Sequence, residues 1–148
     1  MIRIICCGNR HRGDDGAGVL VAEWLRDAGI AVEMCTGETT ALLESWSGAA
    51  DVIVVDAVRT GAAPGTVHAW NGWEAQIPGT RSASTHGFGV GEAIALARKL
   101  GRLPAKLRIF GIEASSFEVG TGVSPKVKEA AENLAQELAA VYRGSQNR

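Results

Sequence analysis

Apolar positions along this chain fall into runs that switch between two spacings, and the switching lays out a layered α/β order of elements. IRIICC, residues 2 to 7, is a short continuous apolar run and predicts a buried first strand. Leu20, Val21, Trp24, Leu25 and Ala28 then recur at helical spacing within AGVLVAEWLRDAG, which Gly29 stops. AVEMC (31 to 35) predicts a second strand, and TTALLESWSGA a short second helix with Thr39 as its cap. DVIVVDAV (51 to 58) is apolar enough for a third strand buried on both faces. RTGAAPG leaves no room for a helix, so GTVHAW is expected to run back antiparallel to the third strand, near a sheet edge. Residues 71 to 85 carry no period, and so long an irregular stretch in a small protein is more often functional than idle. GFGVGEAIALARKLG (87 to 101) predicts the third helix and KLRIFGIE (106 to 113) the fifth strand. Ser124 and Pro125, cap and first-turn proline, announce a C-terminal helix through Tyr142, and GSQNR is expected to fray.

Composition narrows the setting. With 148 residues, 46% of them hydrophobic, the chain suffices for one domain over residues 1 to 148 and is short for two. Fifteen basic residues against sixteen acidic give a net charge of -1, which argues against nucleic acid or an anionic membrane as partner. The N-terminal apolar run is too short for a secretory signal and no stretch is long enough to span a bilayer, so a cytoplasmic protein is expected. Cys6, Cys7 and Cys35 form no CxxC pair or zinc-finger spacing and read as buried thiols. A nucleophilic Cys7 at the strand end would need a base that the sequence does not place beside it.

GNRHRGDDGAG, residues 8 to 18, occupies the position of a phosphate loop between strand and helix, yet Asp14 and Asp15 would repel a phosphate. It lacks Lys-Ser or Lys-Thr after Gly13 and does not match GxGxxG. In a parallel sheet the loops leaving the strand C-termini share one edge, where ligands bind. Asp14 and Asp15 leave the first strand and Asp56 ends the third. If the third helix is a crossover into a parallel fifth strand, His86 before it reaches that edge too. Asp15, Asp56 and His86 would then line one shallow site.

Each residue also has a plainer role. Asp14 reads as the cap of the first helix, a structural residue. Asp15 gains a similar dipole benefit, and His86 could cap with Ser84 and Thr85. Asp56 is harder to assign to structure, because an acid ending a buried apolar run needs a partner. Carboxylate oxygen and imidazole nitrogen together suit zinc or nickel, with coordination positions left open. A serine mechanism fits less well: there is no GxSxG elbow, and Ser115 and Ser116 have only the shared edge in their favour. Arg10, His11 and Arg12 read first as solvated surface and second as a contact for an acidic peptide. His68 reads as an exposed edge-strand side chain, and Trp70 and Trp73 as candidates for a partner surface.

GNRHRGDDGAG, VVDAV, STHGFGVGEAIALA and GIEASSFEVGTGVSPKV, in this order over nearly the whole chain, resemble the hydrogenase maturation endopeptidases. The resemblance implies a three-layer α/β/α fold around a mixed, mostly parallel five-stranded sheet with its fourth strand antiparallel. It implies cleavage of a C-terminal extension from the large-subunit precursor of a nickel-iron hydrogenase after nickel insertion. The family's site residues fall on Asp15, Asp56 and His86, which by that resemblance read nickel carried by the substrate, with no permanent cofactor expected. Two alternatives use the same residues: a hydrolase or aminopeptidase with its own zinc, and a nickel-sensing module that cuts nothing.

Overall fold

The computed structural model describes residues 1–36, 38–74, 77 and 89–146. Five strands form one sheet: β1 (Arg3–Cys7), β2 (Glu33–Cys35), β3 (Asp51–Val58), β4 (Val67–Asn71) and β5 (Lys106–Glu113). Among the described residues four α-helices accompany them: α1 (Ala17–Asp27), α2 (Thr39–Trp46), α3 (Gly89–Leu100) and α4 (Pro125–Gln146). The strand order is β2-β1-β3-β5-β4, with β4 antiparallel to β5 and the other pairs parallel. The fold is therefore the mixed, mostly parallel α/β arrangement that the pattern predicts.

Alternation along the central strands sorts their side chains between two cores. Ile4, Cys6, Ile53 and Val55 pack with Val21 and Leu25 of α1 and Leu134 and Leu138 of α4. Ile5, Cys7, Val54, Val58 and Ile109 pack with Leu42 and Trp46 of α2 and Val90 and Ile94 of α3. β3 contributes to both, which is why its sequence is a continuous apolar run rather than an alternating one. Each fully buried leucine or isoleucine of these sets stabilises the fold by about 1.5–3 kcal/mol. Gly18 brings α1 down onto β1: a Cβ there would lie 2.0 Å from the Cys7 carbonyl oxygen.

Three local expectations change. β4 does run antiparallel to β3, but β5 lies between them, because the chain returns through α3 and inserts the fifth strand beside the third. Thr39 is the first helical residue of α2, not its cap; Glu38 holds that position without a side-chain cap bond. α4 continues to Gln146, into the segment expected to fray, with the Ser145 hydroxyl donating to the Tyr142 carbonyl.

Candidate active site

The chain leaves β1 toward α1 on one face and leaves β2 toward α2 on the other, so the crossovers reverse between β1 and β3. That is the switch point where open α/β sheets bind ligands. Asp15 follows β1 and Asp56 lies near the end of β3, which places both at this crevice.

The first loop reaches the site through a single 3-10 turn, Gly13–Gly16, ahead of α1. Gly13 is in the left-handed region at φ 54, and a Cβ there would be 2.7 Å from the Ser116 carbonyl oxygen. Only glycine lets this loop lie against the loop after β5. Asp14 joins the same two loops. Its buried carboxylate accepts hydrogen bonds from the backbone N–H of Ser115 (2.6 Å), Ser116 (3.2 Å) and Ser124 (2.7 Å), and from the Ser124 hydroxyl (3.1 Å). Asp14 is structural, as expected, but as a clasp between distant loops rather than as the cap of α1, which is Gly16. The same bonds occupy the Ser115 and Ser116 amides in holding Asp14.

Asp15 and Asp56 do come together. Asp15 is half-buried, and burial raises its pKa against the lowering effects of the Arg12 guanidinium and the Asn9 N–H. Asp56 is buried, and its pKa is pushed well above the carboxylate range, first by burial and then by the negative charge of Asp15. The Ala57 N–H, donating to Asp56 Oδ1 at 2.8 Å, opposes that rise. Asp56 is thus part of the core, because its strand is buried on both faces. A carboxyl group whose protonation is raised by a neighbouring carboxylate in this way favours a cation beside the two. His86 lies outside the described residues, so the convergence seen here is that of Asp15 and Asp56.

Cys7 and Cys35 are register partners beside the acids, and both are buried. The Cys7 thiol is pushed well up by its hydrogen bond with Cys35 and by burial, and Cys6, on the other face, is pushed up to about 12 by burial. Both remain protonated thiols, which removes Cys7 as a nucleophile. Of the basic cluster, Arg10 pairs with Glu23 at the surface, while Arg12 turns its charge toward Asp15.

His68 departs from expectation. It is partly buried, with Nε2 2.9 Å from the Glu113 carboxylate and its ring stacked on Trp70. Glu113 gave no sequence signal beyond being an acid at the end of an apolar strand, the same cue that marked Asp56. Trp70 packs against the α2/α3 core, whereas Trp73 is 59% exposed and donates to the Pro104 carbonyl. A cleft lined by Ile2, Arg3, Glu33 and Tyr142 opens at the opposite edge of the sheet, away from the acids.

The sequence profile of the family described as hydrogenase maturation protease matches residues 28–141. The chain belongs to the hydrogenase maturation protease family. The Hydrogenase 2 maturation protease of Escherichia coli (strain K12) is 28% identical over 150 residues, covering 97% of this chain and 92% of that protein. The hydrogenase expression/formation protein HupD of Thiocapsa roseopersicina is 32% identical over 137 residues, 86% of this chain and 61% of its own length. Among solved structures, the hydrogenase maturating endopeptidase HybD from E. coli superposes with a TM-score of 0.75 at 27% identity, covering 97% of this chain and 93% of that one. The NiFe hydrogenase maturation protease HycI from Thermococcus kodakarensis gives a TM-score of 0.67 at 26% identity, with 96% and 92% covered. This maturation protease is therefore an endopeptidase, a hydrolase of peptide bonds.

Proposed function

We propose that this maturation protease removes the C-terminal extension of a nickel-iron hydrogenase large-subunit precursor, and that Asp15, Asp56 and His86 contact the nickel carried by that precursor. The observation that supports this most is the acid pair. A buried carboxyl near the end of β3 and a half-buried one in the turn after β1 sit at the switch-point crevice, and the negative charge of Asp15 raises the pKa of Asp56. Two carboxylates and an imidazole make a partial coordination sphere, which an ion arriving with other ligands completes. Such a site admits the loaded precursor and rejects the empty one, because the metal adds bonds that only the loaded precursor offers.

The substrate's nickel then polarises the scissile carbonyl, and a water adds to the carbonyl carbon. Its proton passes to a carboxylate, for which Asp56, with its raised affinity for protons, is suited. The same proton goes on to the departing amine as the C–N bond breaks. No permanent cofactor is required in this scheme.

The test is to incubate metal-stripped protease with nickel-loaded and nickel-free precursor and follow loss of the extension by mass. Cleavage of the loaded precursor alone is expected. Equal cleavage of both, or cleavage only after zinc is restored to the protease, would promote a metallohydrolase with its own zinc. Binding of loaded precursor without any cut would make the protein a nickel-sensing module.

A further inference from the structure

The floor of the site continues beyond the two aspartates. Gly111 on β5 pairs with Asp56 of β3 on one side and with His68 of β4 on the other, so the three form one row across the sheet. A Cβ at Gly111 would lie 2.7 Å from Trp70 Cζ3 and 2.9 Å from Val58 Cγ1, both on the α2/α3 side. Asp56 is two residues from Val58 and His68 two from Trp70, so alternation puts both side chains on that side. Two strand spacings separate them, about 10 Å.

His68 is held in place from two directions. Its Nε2 lies 2.9 Å from Glu113 Oε1, and its ring stacks on Trp70 with 5.0 Å between centroids and 5° between planes. Glu113 is anchored in turn: Oε1 accepts from the Thr60 hydroxyl at 2.6 Å and Oε2 from the Thr60 N–H at 2.9 Å. Burial pushes the Glu113 carboxyl up, but the bonds from Thr60 and His68 outweigh it and leave the group below its ordinary value. With the Glu113 carboxylate as its acceptor, Nε2 is the ring nitrogen that donates, and in that tautomer Nδ1 keeps a lone pair. Among the described residues Nδ1 makes no hydrogen bond, and the side chain is 21% exposed.

We propose that His68 is a substrate-binding residue of this protease, its Nδ1 accepting a hydrogen bond from a backbone N–H of the precursor segment that lies across the row. An extended segment advances about 3.3 Å per residue, so the contact falls about three residues from the group at Asp56. The role rests on the function proposed above for the acid pair.

Two substitutions separate the ring nitrogens. His68→Gln places an amide where Nε2 lies, keeps the bond to Glu113 and loses Nδ1; His68→Asn does the reverse. With nickel-loaded precursor, Gln is expected to raise KM about tenfold with kcat little changed, the loss of one hydrogen bond. Asn is expected to recover most of that KM while melting lower than Gln. A Gln variant with wild-type KM, or an Asn variant with the higher KM of the two, overturns the role and leaves the pair as packing. Titration of uncut precursor into Asp56→Asn protein, with and without His68→Gln, reads the contact without catalysis. Equal Kd in that pair overturns the role of His68, whereas failure of the wild type to cleave any precursor overturns the function proposed for the acids.

Discussion

Among the described residues Asp56 meets the cost of burial with one N–H, that of Ala57, while the charge of Asp15 works against its ionisation. Its folded pKa therefore lies above its unfolded value. Between those two values the folded protein binds the extra proton, so stability falls as pH rises through that window. Asp56→Asn removes the titration and should melt above the wild type at neutral pH, with the gain shrinking as pH falls toward about 4. Processing by this variant should be lost. Calorimetric melting across that pH range, beside a mass assay of the precursor, checks both halves; an Asn variant that melts lower at neutral pH would contradict the first. Asp15→Asn should also abolish processing, with a smaller thermal gain, because Asp15 is only half-buried and Arg12 already relieves it. Sequence alone marks Asp56 as an acid in need of a partner. It does not show that the nearest charged group is another acid, since that depends on two strand ends meeting.

Between elements, the Asp14 clasp and the Gly18 contact fix where α1 starts, and Asp15 sits in the turn between them. Asp14→Ala strips three backbone N–H groups and one hydroxyl of their acceptor. The expected loss is about 3 kcal/mol or more, above the roughly 0.5–2 kcal/mol of a helix cap. Urea unfolding at constant m would measure it; a loss below 1 kcal/mol would mean that water replaces the carboxylate without penalty. Gly18→Ala should displace α1 from β1, since its methyl would sit 2.0 Å from the Cys7 carbonyl oxygen. Overpacking of that kind costs about 1–3 kcal/mol, and because the turn moves with the helix, processing should fall further than stability does. Helix periods make α1 and α3 readable, and short apolar runs β3 and β5, because both are local patterns. Local sequence makes Asp14 a helix cap because its partners at Ser115, Ser116 and Ser124 lie more than 100 residues away.

Across the whole molecule, the sheet order β2-β1-β3-β5-β4 explains both what the sequence discloses and what it conceals. Parallel neighbours put Asp15 and Asp56 at one edge, so their meeting follows from the order of strands and helices. The insertion of β5 between β3 and β4 does not follow, because a short connection like RTGAAPG favours a hairpin and nothing local announces the later strand. The setting of His68 is hidden for the same reason: alternation gives the face of an edge strand, not the carboxylate of Glu113, 45 residues on, that meets it there. The Asp14 clasp also has a consequence in time. Its last acceptor bond is to Ser124, 110 residues later in the chain. At a synthesis rate of about 5–20 residues per second, a growing chain carries both acids for several seconds before the loop that fixes them exists. Ribosome-bound chains ending before Ser115 should therefore fail to cut loaded precursor, and cutting should begin only once Ser124 has emerged. The order of translation itself would keep an unfinished protease from acting on its target.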